Sequence, residues 1–424
     1  MTRLSLLLLL AFPAAALDFN DPRAVVAAAL ESHPTLTRMR AEAEAARERI
    51  VPASSLPNPM LMAGVQNKPI DLRDDEMMTM YMVGISQTMV RPEKRDSRRD
   101  AAELEARSLV KQIDSARAEI ERDVLLAWYD LAVADAQLGV TAPVRELIEA
   151  VVAAARVRYE VGSAMQAEVI RAQLQGSDLD HEILRLRGAR RAAATRLLSL
   201  LGLPMETNVP RVTMPEDTED LAIDAPAAPP ADHPALLALE AEVARAEEDI
   251  RLARLELRPD LDLEAQYGYR AMQRDMFSVV ARIELPLRAK QVIEPRVREA
   301  ILRRDAAKNR IDELRRDLTG AMAEAVVAHE EATSQMKFHQ DVLVPQAQLA
   351  FESTLAGYQT GSAPFDAILA TETSYLRLRL QYFDFLASHA RAVVTYEALR
   401  RGARPGGSLG MSAPSTPMTS SGAM

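Results

Sequence analysis

The sequence predicts a mainly helical chain with a small β part, built as two long antiparallel helical hairpins and two pairs of strands. Three observations predict it. Long stretches rich in Ala, Leu, Glu and Arg carry apolar residues at helical spacing. Four short segments alternate apolar and polar residues instead. Landmarks of the first half return in the same order about 200 residues later, which marks an internal duplication.

The first segment, 1–16, reads as a signal peptide. Arg3 provides the positive start, Leu4 to Phe12 the short apolar run, and Ala14, Ala15 and Ala16 the small residues of a cleavage site. The first repeat follows over 17–203. Its His33-Pro34 opens an Ala/Glu/Arg-rich helix, and strands are expected at 59–67 and 78–88. A long helix should start near Glu93. Ile113, Ala116, Ile120, Val124, Ala127, Leu131, Ala134 and Leu138 are spaced by threes and fours, the seam of a coiled coil. From Glu93 to Tyr159 such a helix would reach on the order of 100 Å at 1.5 Å per residue. Pro143 is expected to break or kink it. Gly162 then stands where a helix ends between antiparallel neighbours.

The proline-rich segment 204–232 reads as an extended linker. The second repeat, 233–401, restates the first. His233-Pro234 answers His33-Pro34, and Tyr358-Gln359-Thr360-Gly361-Ser362-Ala363 answers Tyr159-Glu160-Val161-Gly162-Ser163-Ala164. Pro345 is the matching kink. Strands are expected at 260–269 and 277–285. In the first of these, Leu261, Leu263, Ala265, Tyr267 and Tyr269 alternate with Asp262, Glu264, Gln266 and Gly268. The tail 402–424, of Gly, Ser, Pro and Met, is expected to be disordered.

Composition removes several function classes. The net charge of −10 leaves no basic surplus for nucleic acid. There is no cysteine, hence no disulfide, thiolate metal site, thiol nucleophile or lipid-bearing cysteine. His181-Glu182 and His329-Glu330 lack the second histidine of a zinc protease helix. No phosphate loop, dinucleotide fingerprint or Gly-x-Ser-x-Gly is present. The reading is a protein without catalytic residues or cofactor. No stretch is apolar enough for a membrane helix after the signal. Strands of about ten residues, however, suit a tilted bilayer crossing. Four strands cannot close a barrel, and an open edge in lipid leaves backbone groups unpaired at several kcal/mol each. Three copies would supply twelve strands, which closes.

These features resemble the TolC family of outer-membrane efflux proteins over nearly the whole mature chain. The resemblance rests on His33-Pro34 and His233-Pro234, Asn58-Pro59, Gly84-Ile85-Ser86-Gln87-Thr88 with Pro92, Lys94 and Arg95 behind it, the doubled Tyr-x-x-Gly, and Leu200-Leu201-Gly202-Leu203-Pro204. It implies a homotrimer in the outer membrane of a Gram-negative bacterium, reaching into the periplasm. A twelve-stranded β-barrel would sit on an α-barrel of helical hairpins. It implies passive conduction, a periplasmic adaptor and an inner-membrane RND-type pump as partners, and adaptor contact at Gly162, Ser163, Gly361 and Ser362.

Asp262, Glu264 and Gln266 would then line the pore, along with Asp366. Here the sequence departs from the family. Family aspartates beyond the second tip glycine align with Ala367 and Ala370, and Asp366 is one residue off, about 100° around the helix. An acidic constriction is not expected, unless Glu168 or Glu372 supplies it. The run Met78-Thr79-Met80-Tyr81-Met82 resembles the branch paired with heavy-metal pumps, and the thioethers of Met78, Met80 and Met82 suit Cu(I) or Ag(I). The same methionines serve equally as apolar packing. Metal cations are thus the expected cargo, with drugs as the alternative. A periplasmic adaptor or coiled-coil scaffold shares the helices, but not the duplicated hairpin with four alternating strands.

Overall fold

The computed structural model describes residues 17–68, 70, 77–215, 223, 229–271 and 273–406. The signal segment, most of the linker's second half and residues 407–424 lie outside them. The chain divides into two compact units. Met1–Thr37, Asp114–His233 and Arg316–Met424 form a helical unit, and Arg38–Ile113 with Pro234–Arg315 form a unit that holds the sheet.

The first repeat runs α1 (Pro22–Ser32), α2 (Pro34–Glu48), α3 (Ile50–Ser54), β1 (Met60–Gln66), β2 (Met80–Met89), α4 (Pro92–Glu160) and α5 (Gln166–Leu201). The second runs α6 (Pro234–Leu255), β3 (Leu261–Tyr269), β4 (Met276–Ile283), α7 (Ala289–Phe338), α8 (Val344–Thr360) and α9 (Phe365–Arg401). Asp21 caps α1 by accepting the Arg23 N–H at 2.9 Å. Gly202 closes α5 at φ +67°. No described helix is long and apolar enough to cross a membrane.

The two proline expectations have different outcomes. α4 is one helix of 69 residues that passes through Pro143 without a break. The residue whose carbonyl the ring displaces is Gly139. In the second repeat the helix does change geometry, through a π-helical turn at His339–Leu343 just before Pro345. There, buried His339 places Nδ1 2.8 Å from the Gln335 carbonyl.

In the helical unit the core is a seam of Ala, Leu, Ile and Val from α4, α5 and α9. Trp128 is wholly buried, and its indole N–H donates to the Phe19 carbonyl at 2.7 Å. Asp135, also buried, accepts from Arg190 Nε at 2.6 Å and from the Val212 N–H at 3.0 Å. Arg190 donates further to the carbonyls of Val209 and Pro210, both at 3.0 Å. With Val209, Val212 and Met214 buried, the described first part of the linker, 204–215, is packed against the unit. The first tail residues are likewise ordered. Ala403 is buried against Ala118 and Ala398, and the Gly402 carbonyl accepts from Ser115 Oγ at 2.6 Å. His233 is buried beside them, its Nε2 2.9 Å from the Leu399 carbonyl.

The other unit holds one antiparallel sheet in the order β1-β2-β3-β4. Each repeat contributes a hairpin, and β2 pairs with β3 to join them. The flanking helices are tied by ion pairs, among them Arg49–Glu105 at 3.1 Å, Arg245–Glu105 at 3.3 Å and Arg296–Glu256 at 2.7 Å. Asp260, at the start of β3, accepts from the Arg91 N–H at 3.1 Å and from Lys94 Nζ at 3.0 Å. These bonds tie the start of β3 to the start of α4.

Candidate functional site

Two places carry the features that a channel needs. The first is the sheet, which has one face of each kind. Leu61, Ala63 and Val65 of β1 pair across the sheet with Ile85, Val83 and Tyr81 of β2. These continue through Ala265, Tyr267 and Tyr269 of β3 to Val279 and Phe277 of β4. Leu261 and Leu263 extend the row to Ile283 and Ala281. That face is apolar throughout apart from Gln87, and Leu61 (78%), Phe277 (71%) and Val279 (65%) are widely exposed. Apolar side chains with no protein cover call for lipid or a partner. The opposite face carries Gln66, Ser86, Thr88, Asp262, Glu264, Gln266, Ser278 and Arg282, interleaved with Gly64, Gly84 and Gly268. Among the described residues, both edge strands, β1 and β4, have no neighbour on their outer side.

Asp262, Glu264 and Gln266 therefore share the polar face of β3. Glu264 is not a free charge: it is buried (4%) and ion-paired with Arg282 on β4. The acidic character expected of this face is thus partly cancelled by Arg282, whose place beside Glu264 follows from the β3–β4 register. Met78 needs correction, because β2 begins at Met80 and Met78 stands in the turn before it. Met80 and Met82 do lie on the polar face.

The second place is the pair of hairpin tips. Gly162 and Gly361 have φ of +76° and +79°, the left-handed conformation that glycine adopts without steric cost. At each tip the serine N–H reaches back five residues. Ser163 N donates to the Arg158 carbonyl at 2.8 Å and Ser362 N to the Gly357 carbonyl at 2.8 Å. Each serine hydroxyl donates to that same carbonyl, at 3.0 and 3.1 Å. The repeated motif therefore builds the same helix stop twice.

The tyrosines diverge. Tyr159 is exposed (45%), while Tyr358 is buried (6%) against Phe365 and under the Arg158 guanidinium, 4.9 Å from its ring centre. Asp366 pairs with Arg171 of α5 at 2.6 Å, with both groups exposed. One turn further, Gln175 Nε2 donates to Glu372 Oε2 at 2.7 Å.

Glu372 was weighed as a pore acid and is not one. It is completely buried, in line with Phe365, Ile368 and Leu376 on α9, and its other oxygen has no partner. Burial pushes its carboxyl up to about 7 against the hydrogen bonds from Thr373 and Gln175. Glu168, the other substitute, is half-buried in the first turn of α5.

Comparison with known proteins places this geometry. The family model described as outer membrane efflux protein matches residues 25–203 and 230–399, one match per repeat. Among solved structures, VceC of Vibrio cholerae, an outer membrane protein, is 18% identical. It superposes with a TM-score of 0.74 over 90% of this chain and 96% of its own. CusC, described by its transmembrane channel formation, is 15% identical with a TM-score of 0.73, over 91% and 92%. The open MtrE outer membrane channel of Neisseria gonorrhoeae is 16% identical with a TM-score of 0.75, over 90% and 89%. At these identities the likeness establishes the fold. No curated protein sequence matches significantly.

Proposed function

The chain belongs to the outer membrane efflux protein family, and from that membership we propose that three copies form the exit duct of a tripartite pump whose cargo is metal cations. The family consists of outer-membrane channels that extend into the periplasm, not of enzymes. The observation that carries the trimer is the sheet: one apolar face without cover, one polar face, and two open edges. β4 of one copy would pair with β1 of the next until twelve strands close, satisfying every edge group in lipid. Asp262, Gln266 and the Glu264–Arg282 pair would then face water.

The tips at Gly162, Ser163, Gly361 and Ser362 offer small, exposed, rigid turns. They suit a periplasmic adaptor that links the duct to an inner-membrane pump of the RND type. Conduction is passive, so selectivity must come from the wall and the tips. Metal cargo is favoured by the carboxylates and thioethers of the polar face.

Two tests follow. The chain has no cysteine, so variants that carry one cysteine on β1 and one on β4 of the same chain give a clean background. Oxidation should yield covalent trimers in outer-membrane fractions, and cross-links absent at every register would reject the closure. For cargo, a deletion strain should become sensitive to copper, silver, zinc or cadmium. Sensitivity confined to drugs would replace the metal reading.

A further inference from the structure

Six methionines lie in the four strands, and five of them, Met60, Met62, Met80, Met82 and Met276, are on the polar face. Only Met89 is on the apolar one. Methionine used as a plain hydrophobe would sit with the Leu, Val, Ile, Tyr and Phe of the uncovered face. Its placement on the opposite side needs another reason.

Register supplies one. Met82 of β2 and Met276 of β4 both pair with Gly268 of β3, from its two sides. Neighbouring strands are about 4.8 Å apart, so these two Cα atoms are about 10 Å apart with no side chain between them. The Met80 side chain lies over the space that a Gly268 Cβ would fill. Met80 thus covers the glycine that Met82 and Met276 flank in register. Met62 is the diagonal neighbour of Met82 across the β1–β2 pair, and Met60 lies two residues further along β1. From Met60 to Met80 the rows step by about 7 Å, a ladder on the order of 20 Å long.

The ladder has a direction. Asp262 and the Glu264–Arg282 pair lie at the end of the sheet where the helices attach, and Met80, Met82 and Met276 at the end where the hairpins turn.

We propose that Met80, Met82 and Met276, which cover and flank Gly268, form a thioether site for a soft monovalent cation, Cu(I) or Ag(I), and that Met62 and Met60 extend it along the wall. Neutral sulfur ligands favour these ions over Zn(II) or Mg(II), which prefer nitrogen and oxygen. Several neutral sites in series hold an ion loosely enough to release it, as conduction requires. The proposal rests on the duct reading above, because it needs the polar face to meet water.

The test uses the full-length protein purified in detergent and reconstituted in planar bilayers, with Ag(I) as probe. Wild type should bind Ag(I) and prefer it to Zn(II). The variant M80L/M82L/M276L keeps side-chain size and should lose at least tenfold in Ag(I) affinity. Its circular dichroism and thermal unfolding should match those of wild type, so that the loss reports the site and not the fold. Equal Ag(I) affinity in the two proteins overturns the site. So does a wild type without preference for Ag(I) over Zn(II), a result that needs no variant. Wild type that binds Ag(I) selectively but conducts no potassium rejects the duct reading instead.

Discussion

Glu372 offers a test of how the helical unit is held near its tips. The carboxyl occupies a core position of α9 between Ile368 and Leu376, wholly buried, with one oxygen bonded to Gln175 and the other to nothing. Its affinity for a proton rises from the ordinary 4.5 to about 7. A raised pKa means that the folded state holds the proton more tightly than the unfolded one. The resulting stabilisation is fully present below pH 4.5 and is lost as pH rises to about 7, with no further change above. At about 1.4 kcal/mol per unit, the swing is on the order of 3 kcal/mol. Glu372→Gln keeps an acceptor for Gln175 and cannot ionise, so its seam should hold equally at all pH values. The assay is amide hydrogen exchange over residues 365–380, corrected for the intrinsic rate, at pH 5 and pH 8.5. Wild-type protection should fall by up to about a hundredfold relative to the variant between those values. Parallel pH profiles for the two proteins would refute the argument.

Four further outcomes follow. Gly361→Ala meets no steric neighbour, so its cost is the left-handed backbone alone, about 1 kcal/mol, visible as faster exchange at the α8 end. Arg190→Ala leaves Asp135 charged and buried, and thermal unfolding should show a loss of about 3 kcal/mol. Asp366→Ala breaks only an exposed pair with Arg171, worth under about 1 kcal/mol; conductance with and without divalent cations should barely change, and abolition of a strong cation block would place Asp366 in the constriction after all. Ile85→Arg puts a charge on the apolar face and should cost about 2–4 kcal/mol in lipid, whereas Ser278→Arg, on the polar face, should leave assembly intact.

What the sequence made legible, and what it did not, has physical reasons. Period-two alternation is strong in β3, and threes and fours are strong in α4, so a mainly helical chain with a four-stranded part was readable from side-chain pattern alone. Turn chemistry was readable too, because only glycine takes φ near +77° cheaply, and Gly162 and Gly361 do. Pairing was less visible. Alternation says that Met80 and Met82 share a face, but not that Met276 meets them across Gly268, nor that Arg282 neutralises Glu264; both depend on the register between strands. Met78 was misplaced because a turn and a strand end look alike in a methionine run. Pro143 was overread, since proline costs a helix one hydrogen bond, which packing along 69 residues can offset. Glu372 stood as a possible substitute pore acid because helical spacing alone does not say which face a neighbouring helix covers.

The central claim is that the sheet of one chain is a third of a water-filled barrel. The most direct measurement is single-channel recording of the purified protein in a planar bilayer, paired with its mass in the same detergent. The account predicts a trimer with discrete conductance steps and, after introduction of Val83→Cys or Gln266→Cys, block by a charged thiol reagent only at Gln266→Cys. A monomer without conductance, or equal block at the two positions, would contradict it.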